Sequence, residues 1–145
     1  MRRARLQHQV QYLSLYHQNP KAILIHLGSN DLTSQKSVEI RHAMKADIIS
    51  LFKTFTNTKI IVSALLPRLI WRSKIPIILL EKKRKAINKF VRRLVEHEGG
   101  IFIRHDDISV DTPGLYFQDG VHLSDVGNDL FILGITDALE RALSH

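Results

Sequence analysis

Two short polar clusters in this chain could do chemistry together. Gly28-Ser29-Asn30-Asp31 follows an apolar run, and Gln118-Asp119-Gly120-Val121-His122 lies in a polar loop before the last amphipathic stretch. An aspartate three residues before a histidine can hydrogen-bond the imidazole Nδ1. That bond fixes the tautomer, stabilises the charged ring and leaves Nε2 to act as a general base. An asparagine at a strand end can donate its amide to a carbonyl oxygen that becomes anionic. Asp119 and His122 are therefore the candidate base pair and Asn30 the candidate oxyanion donor, with Gly28, Asp31 and Gly120 supporting them. Each cluster alone has a plainer reading. Asn30-Asp31 can be a turn closing a strand, and Asp119-Gly120 a tight turn with His122 an ordinary loop histidine.

The elements that must position these residues are legible as periodicity. Leu6, Val10, Leu13 and Tyr16 recur at helical spacing and predict a helix ending near Asn19-Pro20. Ala22 to Leu27 is too short for a helix and too apolar for a surface strand, so it reads as a strand covered on both faces. Ile40, Met44, Ile48, Leu51 and Phe55 mark one face of a second helix, and Lys59 to Leu65 reads as a second buried strand. Leu80, Ile87, Phe90, Val91 and Leu94 give a third helical stripe, stopped by Gly99-Gly100. Ile101-Phe102-Ile103 is a third strand. A polar loop from Asp106 leads to Ser124, a predicted N-cap, and Val126, Leu130, Leu133 and Ala138 mark a closing helix. The order α-β-α-β-α-β-α predicts a three-layer α/β/α sandwich on a parallel sheet. Both polar clusters fall at the carboxyl ends of strands, where such sheets bind ligands.

Composition narrows the chemistry. The chain has 145 residues, 44% hydrophobic and 24% charged, which fits one folded domain spanning 1–145. Without cysteine, thiolate metal sites, disulfides and cysteine nucleophiles are excluded. The eight histidines show neither HxxxH nor HxH spacing, so no metal site and no cofactor is expected. No apolar run suits a membrane span and no secretory signal follows the basic start, so an intracellular, cytoplasmic protein is expected. The net charge is +7, and between Arg68 and Arg93 ten cations face only Glu81. Lys82, Lys83, Arg84, Lys85, Lys89, Arg92 and Arg93 lie off the apolar stripe of their helix. They form a solvated face or, alternatively, the surface of a non-enzymatic nucleic-acid-binding module.

Together the clusters resemble the SGNH (GDSL-type) ester hydrolase family. Gly28-Ser29-Asn30-Asp31 is similar to its GxND block and Asp119-Gly120-Val121-His122 to its DxxH block, in the family's order. Leu66-Pro67-Arg68, Gly99-Gly100, Arg104-His105 and Gly114 through Ser124 look like SGNH-type proteins abundant in fish and amphibian genomes, some of them associated with retroelements. The resemblance implies a flavodoxin-like α/β/α fold and metal-free, serine-dependent hydrolysis of small acyl esters. It gives Asn30 the oxyanion role, His122 the base and Asp119 its orientation.

One part of the family pattern has no match. The family carries its nucleophile in a Gly-Asp-Ser block ending its first strand, upstream of GxND. This sequence contains no Gly-Asp-Ser and no glycine before Gly28. Ser29 is the variable position of GxND, Ser63 sits in a buried strand and Ser124 reads as a cap, so none is expected to replace it. The expectation is an N-terminally truncated, catalytically incomplete domain whose strand Ala22–Leu27 lies at the sheet edge.

Overall fold

A computed structural model of the protein describes residues 20–26 and 30–144, with Asn30 described in its backbone alone. The helix expected over Leu6–Tyr16 and the residues Leu27, Gly28 and Ser29 lie outside the described residues. Three strands, β1 (Ala22–His26), β2 (Lys59–Ser63) and β3 (Ile101–Ile103), alternate with three helices, α1 (Ser37–Thr54), α2 (Ile77–His97) and α3 (Asp125–Leu143). The sheet is parallel with order β1-β2-β3. The expected α/β architecture is present, and β1 lies at one edge of this sheet.

The sheet is covered on both faces because its strands are apolar at successive positions. Ile25, Ile60 and Val62 turn towards α1 and α2, where Ile40, Met44, Ile48, Leu51, Leu80, Ile87, Val91 and Val95 close the larger core. Ile61 and Ile103 turn to the other face and meet Ala138 and Ala142 of α3. Ile61 is fully buried, and truncating such a residue to alanine typically costs about 2–5 kcal/mol.

The stripe read for α1 is buried. In α2 Leu80, Ile87 and Val91 are buried, Phe90 and Leu94 only partly so, and Val95 is buried as well. In α3 only Ala138 of the expected stripe is buried. Val126 and Leu133 are exposed, while the buried residues of α3 are Gly127, Ala138 and Ala142. A Cβ at Gly127 would stand 2.2 Å from the Leu115 carbonyl oxygen. Close approach therefore selects the small-residue face, with Ile135 and Leu139 packed partly buried beside it and Ile132 and Leu133 left exposed.

The chain leaves β2 through a segment held by α2. Asn88 accepts from Leu65 N–H at 2.8 Å and donates to Leu65 C=O at 3.0 Å. A side-chain amide thus satisfies a backbone pair just past the strand end. Arg84 also donates to the Leu65 carbonyl, at 3.0 Å. The expected extension of this strand to Leu65 stops at Ser63.

Candidate active site

The loop after β3 folds back into a narrow hairpin that carries the DxxH residues. Tyr116 and Leu123 form an antiparallel bridge, and Phe117 N–H donates to the His122 carbonyl at 2.9 Å. Gly120 sits at the tip with φ +69°, a conformation that favours glycine. Its carbonyl accepts from Leu69 and Ile70 N–H at 2.8 and 3.0 Å, and a Cβ there would meet Ile70 at 2.4 Å. Gly120 thus lets the hairpin tip dock on the segment after β2. Tyr116 adds a second anchor, its hydroxyl donating to the Pro67 carbonyl at 2.7 Å. Burial pushes that phenol up to about 12, with Arg84 opposing the shift.

Within the hairpin, Asp119 does two jobs. One carboxylate oxygen accepts from Val121 and His122 N–H at 2.9 and 3.0 Å, closing an Asx turn. The other lies 2.5 Å from His122 Nδ1. The hydrogen bond from His122, reinforced by the two backbone N–H groups, holds the Asp119 carboxyl down at about 2. It is therefore ionised at neutral pH and holds the proton of the ring on Nδ1. The His122 side chain is 75% exposed, and its Nε2 makes no hydrogen bond among the described residues.

Ser124 closes the hairpin and starts α3. Its Oγ accepts from Gly127 N–H at 3.2 Å and donates to the Gly114 carbonyl at 2.5 Å, as an N-cap should. The GxND cluster is described in part. Asn30, Asp31 and Leu32 form a 3-10 turn directly beyond β1, and the Asp31 carbonyl accepts from Gln35 N–H at 3.0 Å. Gly28 and the Asn30 side chain lie outside the described residues.

His26 ends β1 and finds its partners on the neighbouring strand and beyond β3. The register pairs His26 with Ser63, and Ser63 Oγ lies 2.9 Å from His26 Nδ1 and 2.6 Å from His105 Nε2. Phe131 of α3 stacks on the His105 ring at 4.7 Å and meets His26 edge-on at 4.9 Å. His105 Nδ1 is buried without a partner. The tautomer that leaves no buried N–H unpaired has His105 Nε2 donating to Ser63, and Ser63 donating to His26. Burial, helped by His105, brings His26 down to about 4. Burial also lowers His105, against the pull of Asp107 and Asp106. Alternation puts positions 24 and 26, and 61 and 63, on the α3 face, but His105 lies past the end of β3 with φ +49°, so local pattern alone does not reveal the cluster.

No sequence-family model and no curated protein matches this chain. Solved structures do. A GDSL-like lipase from Bacteroides thetaiotaomicron superposes with a TM-score of 0.74 at 20% identity, covering 97% of this chain and 70% of the lipase. A putative acylhydrolase from Bacteroides fragilis gives 0.73 at 19% identity, over 97% of this chain and 69% of that chain. A family 3 carbohydrate esterase from Clostridium thermocellum gives 0.69 at 17% identity, over 100% and 69%. The fold is that of the SGNH, or GDSL-type, hydrolases.

Proposed function

We propose that this chain carries the acid–base and oxyanion part of an SGNH-type ester hydrolase site, and that its 145 residues alone do not turn over esters. The observation that carries the reading is the Asp119–His122 pair, with a carboxylate on Nδ1 and an unengaged, solvent-facing Nε2. In a complete site His122 takes the proton of the attacking serine and returns it to the leaving alcohol. Asp119 keeps the ring in the working tautomer, and Asn30 donates its amide to the tetrahedral oxyanion. Gly28 and Asp31 flank Asn30 in the GxND block, and Gly120 supports the hairpin that presents His122. The substrate would be a small acyl ester.

In an acetylxylan esterase from Geobacillus stearothermophilus, a serine, an aspartate and a histidine are each sites of catalytic mutants. That aspartate and histidine are three positions apart, as Asp119 and His122 are. Its serine precedes the aspartate by more than the 145 residues of this chain. The serines here that sequence reading considered do not fill the gap. Ser63 is 3% exposed and engaged by two imidazoles, Ser124 is a helix cap, and Ser29 is the variable residue of its block. Loss of the triad serine has cost a protease about a million-fold in turnover, which is the basis for expecting inactivity.

The test is hydrolysis of a short-chain p-nitrophenyl ester by the 145-residue chain and by a version extended with the reading frame upstream of its Met1 codon. The short chain is expected to give no turnover above buffer and the extended one to be active. In the extended protein His122→Ala should abolish activity, and Asn30→Ala should lower it about 100- to 1,000-fold. Esterase activity that survives both substitutions unchanged refutes these roles.

A further inference from the structure

The cations of α2 do not form one uniform face. Lys83 donates to the carbonyls of Leu32 and Gln35, tying α2 to the turn beyond β1. Lys82 and Arg93 do not line the groove that the remaining cations share. Arg84, Lys85, Lys89 and Arg92 instead share a groove of about 420 Å³ with Arg104, which enters from the end of β3. Its apolar lining is Ala64 and the partly buried ring of Phe102, and its one acidic residue is Asp106. Arg84 is engaged with Glu81 and Leu65, Arg92 with Glu96, and Arg104 with Asp106. Lys85 and Lys89 have no such partner among the described residues. Five positive side chains against one carboxylate make a concave anion site, and two of its cations are held back by no internal bond.

We propose that this groove binds the phosphodiester backbone of single-stranded nucleic acid. Lys85, Lys89 and Arg92 recur at four and three residues, so they form a row along one side of α2 about 10 Å long. A row of that length accommodates about two to three consecutive phosphates, and Arg104 adds a contact from the other side. Arg104 supplies the opposite wall and Phe102 an aromatic surface between, the combination of cationic groove and stacking ring that suits an unpaired strand. A flat acidic protein surface would use neither the concavity nor the ring. A duplex would present its bases to itself rather than to Phe102. This proposal does not depend on the ester-hydrolase reading, and its test involves no hydrolysis.

Fluorescence anisotropy of a labelled oligouridylate with the 145-residue chain across a salt series tests it. Contact with three to four phosphates predicts a log–log salt slope of about −2 to −3, and so about 20- to 50-fold weaker binding on going from about 50 to 200 mM salt. The double variant Lys85→Ala/Lys89→Ala should flatten that slope by about 1.4. The equally charge-reducing pair Lys82→Ala/Arg93→Ala should leave the slope and the affinity near wild type. Phe102→Leu, which keeps an apolar side chain in the core, should weaken oligouridylate about tenfold and leave inorganic polyphosphate binding unchanged. Equal losses from the two double variants would mean diffuse attraction to net charge and overturn the groove. Binding that ignores salt, or equal affinity for a poly-glutamate peptide, would overturn nucleic acid as its ligand.

Discussion

His26, Ser63 and His105 form an acid-sensitive point of the structure. Both rings are held below the ordinary histidine value near 6.5, His26 at about 4 and His105 lowered in the same direction. In the unfolded chain they bind protons from about pH 6.5 downwards, while burial in the folded protein holds protons off both rings to lower pH, off His26 until about 4. Stability is therefore full above about pH 6.5 and falls as the pH drops towards about 4, because the unfolded state takes up more protons across that window. Urea unfolding is expected to give about 1–3 kcal/mol less stability near pH 4 than near pH 7. His26→Leu, which cannot titrate, should flatten that part of the profile. A profile unchanged by His26→Leu would mean that other groups set the acid limit. Asp119 and His122 have a contrasting environment, since their bond is made in the open. Its role lies in the tautomer of a ring that faces solvent rather than in holding the fold together.

Among the elements, α3 is the one whose seating depends on absent side chains. A Cβ at Gly127 would press on the Leu115 carbonyl at 2.2 Å, whereas one at Gly134 would reach His105 Nδ1 at 3.3 Å. Gly127→Ala should therefore cost about 1–3 kcal/mol in urea unfolding through overpacking. Gly134→Ala, with about 1 kcal/mol of helix propensity in its favour, should stay within about 1 kcal/mol of wild type. Equal effects of the two would contradict the close seating at Gly127. The same helix shows where sequence reading stops. In α1 the residues Ile40, Met44, Ile48 and Leu51, continued by Phe55 just past its end, repeat at helical spacing, and all five are buried. In α3 apolar residues surround the axis, and contacts from distant loops decide the face. The DxxH pair was legible because it is local, three residues in one turn. The His26–Ser63–His105 cluster joins positions 37 and 42 apart, and it needs the register of three strands before it can be seen. Asn88 escaped notice for the same reason, because its partner is a backbone unit 23 residues away.

At the scale of the whole molecule, two features dominate: an unequal charge distribution and an open sheet edge. Order β1-β2-β3 leaves the outer side of β1 without a strand neighbour among the described residues. Elsewhere large apolar residues are exposed, Ile132 and Leu133 on α3 and Ile77 and Ile78 on α2 among them. Unpaired strand edges and apolar patches recruit other chains. Sedimentation at increasing concentration is expected to show self-association of the 145-residue chain, with a broad thermal transition. A sharply melting monomer at high concentration would show that the edge is protected. The central claim is that the residues of the two polar clusters meet over one end of this sheet. The most direct measurement is the separation of Asn30 Nδ2 and His122 Nε2 in a crystal structure of the chain. Both atoms are expected within about 3 Å of a common point, where a reacting carbonyl group would sit. Side chains directed to opposite ends of the molecule would contradict the hydrolase site.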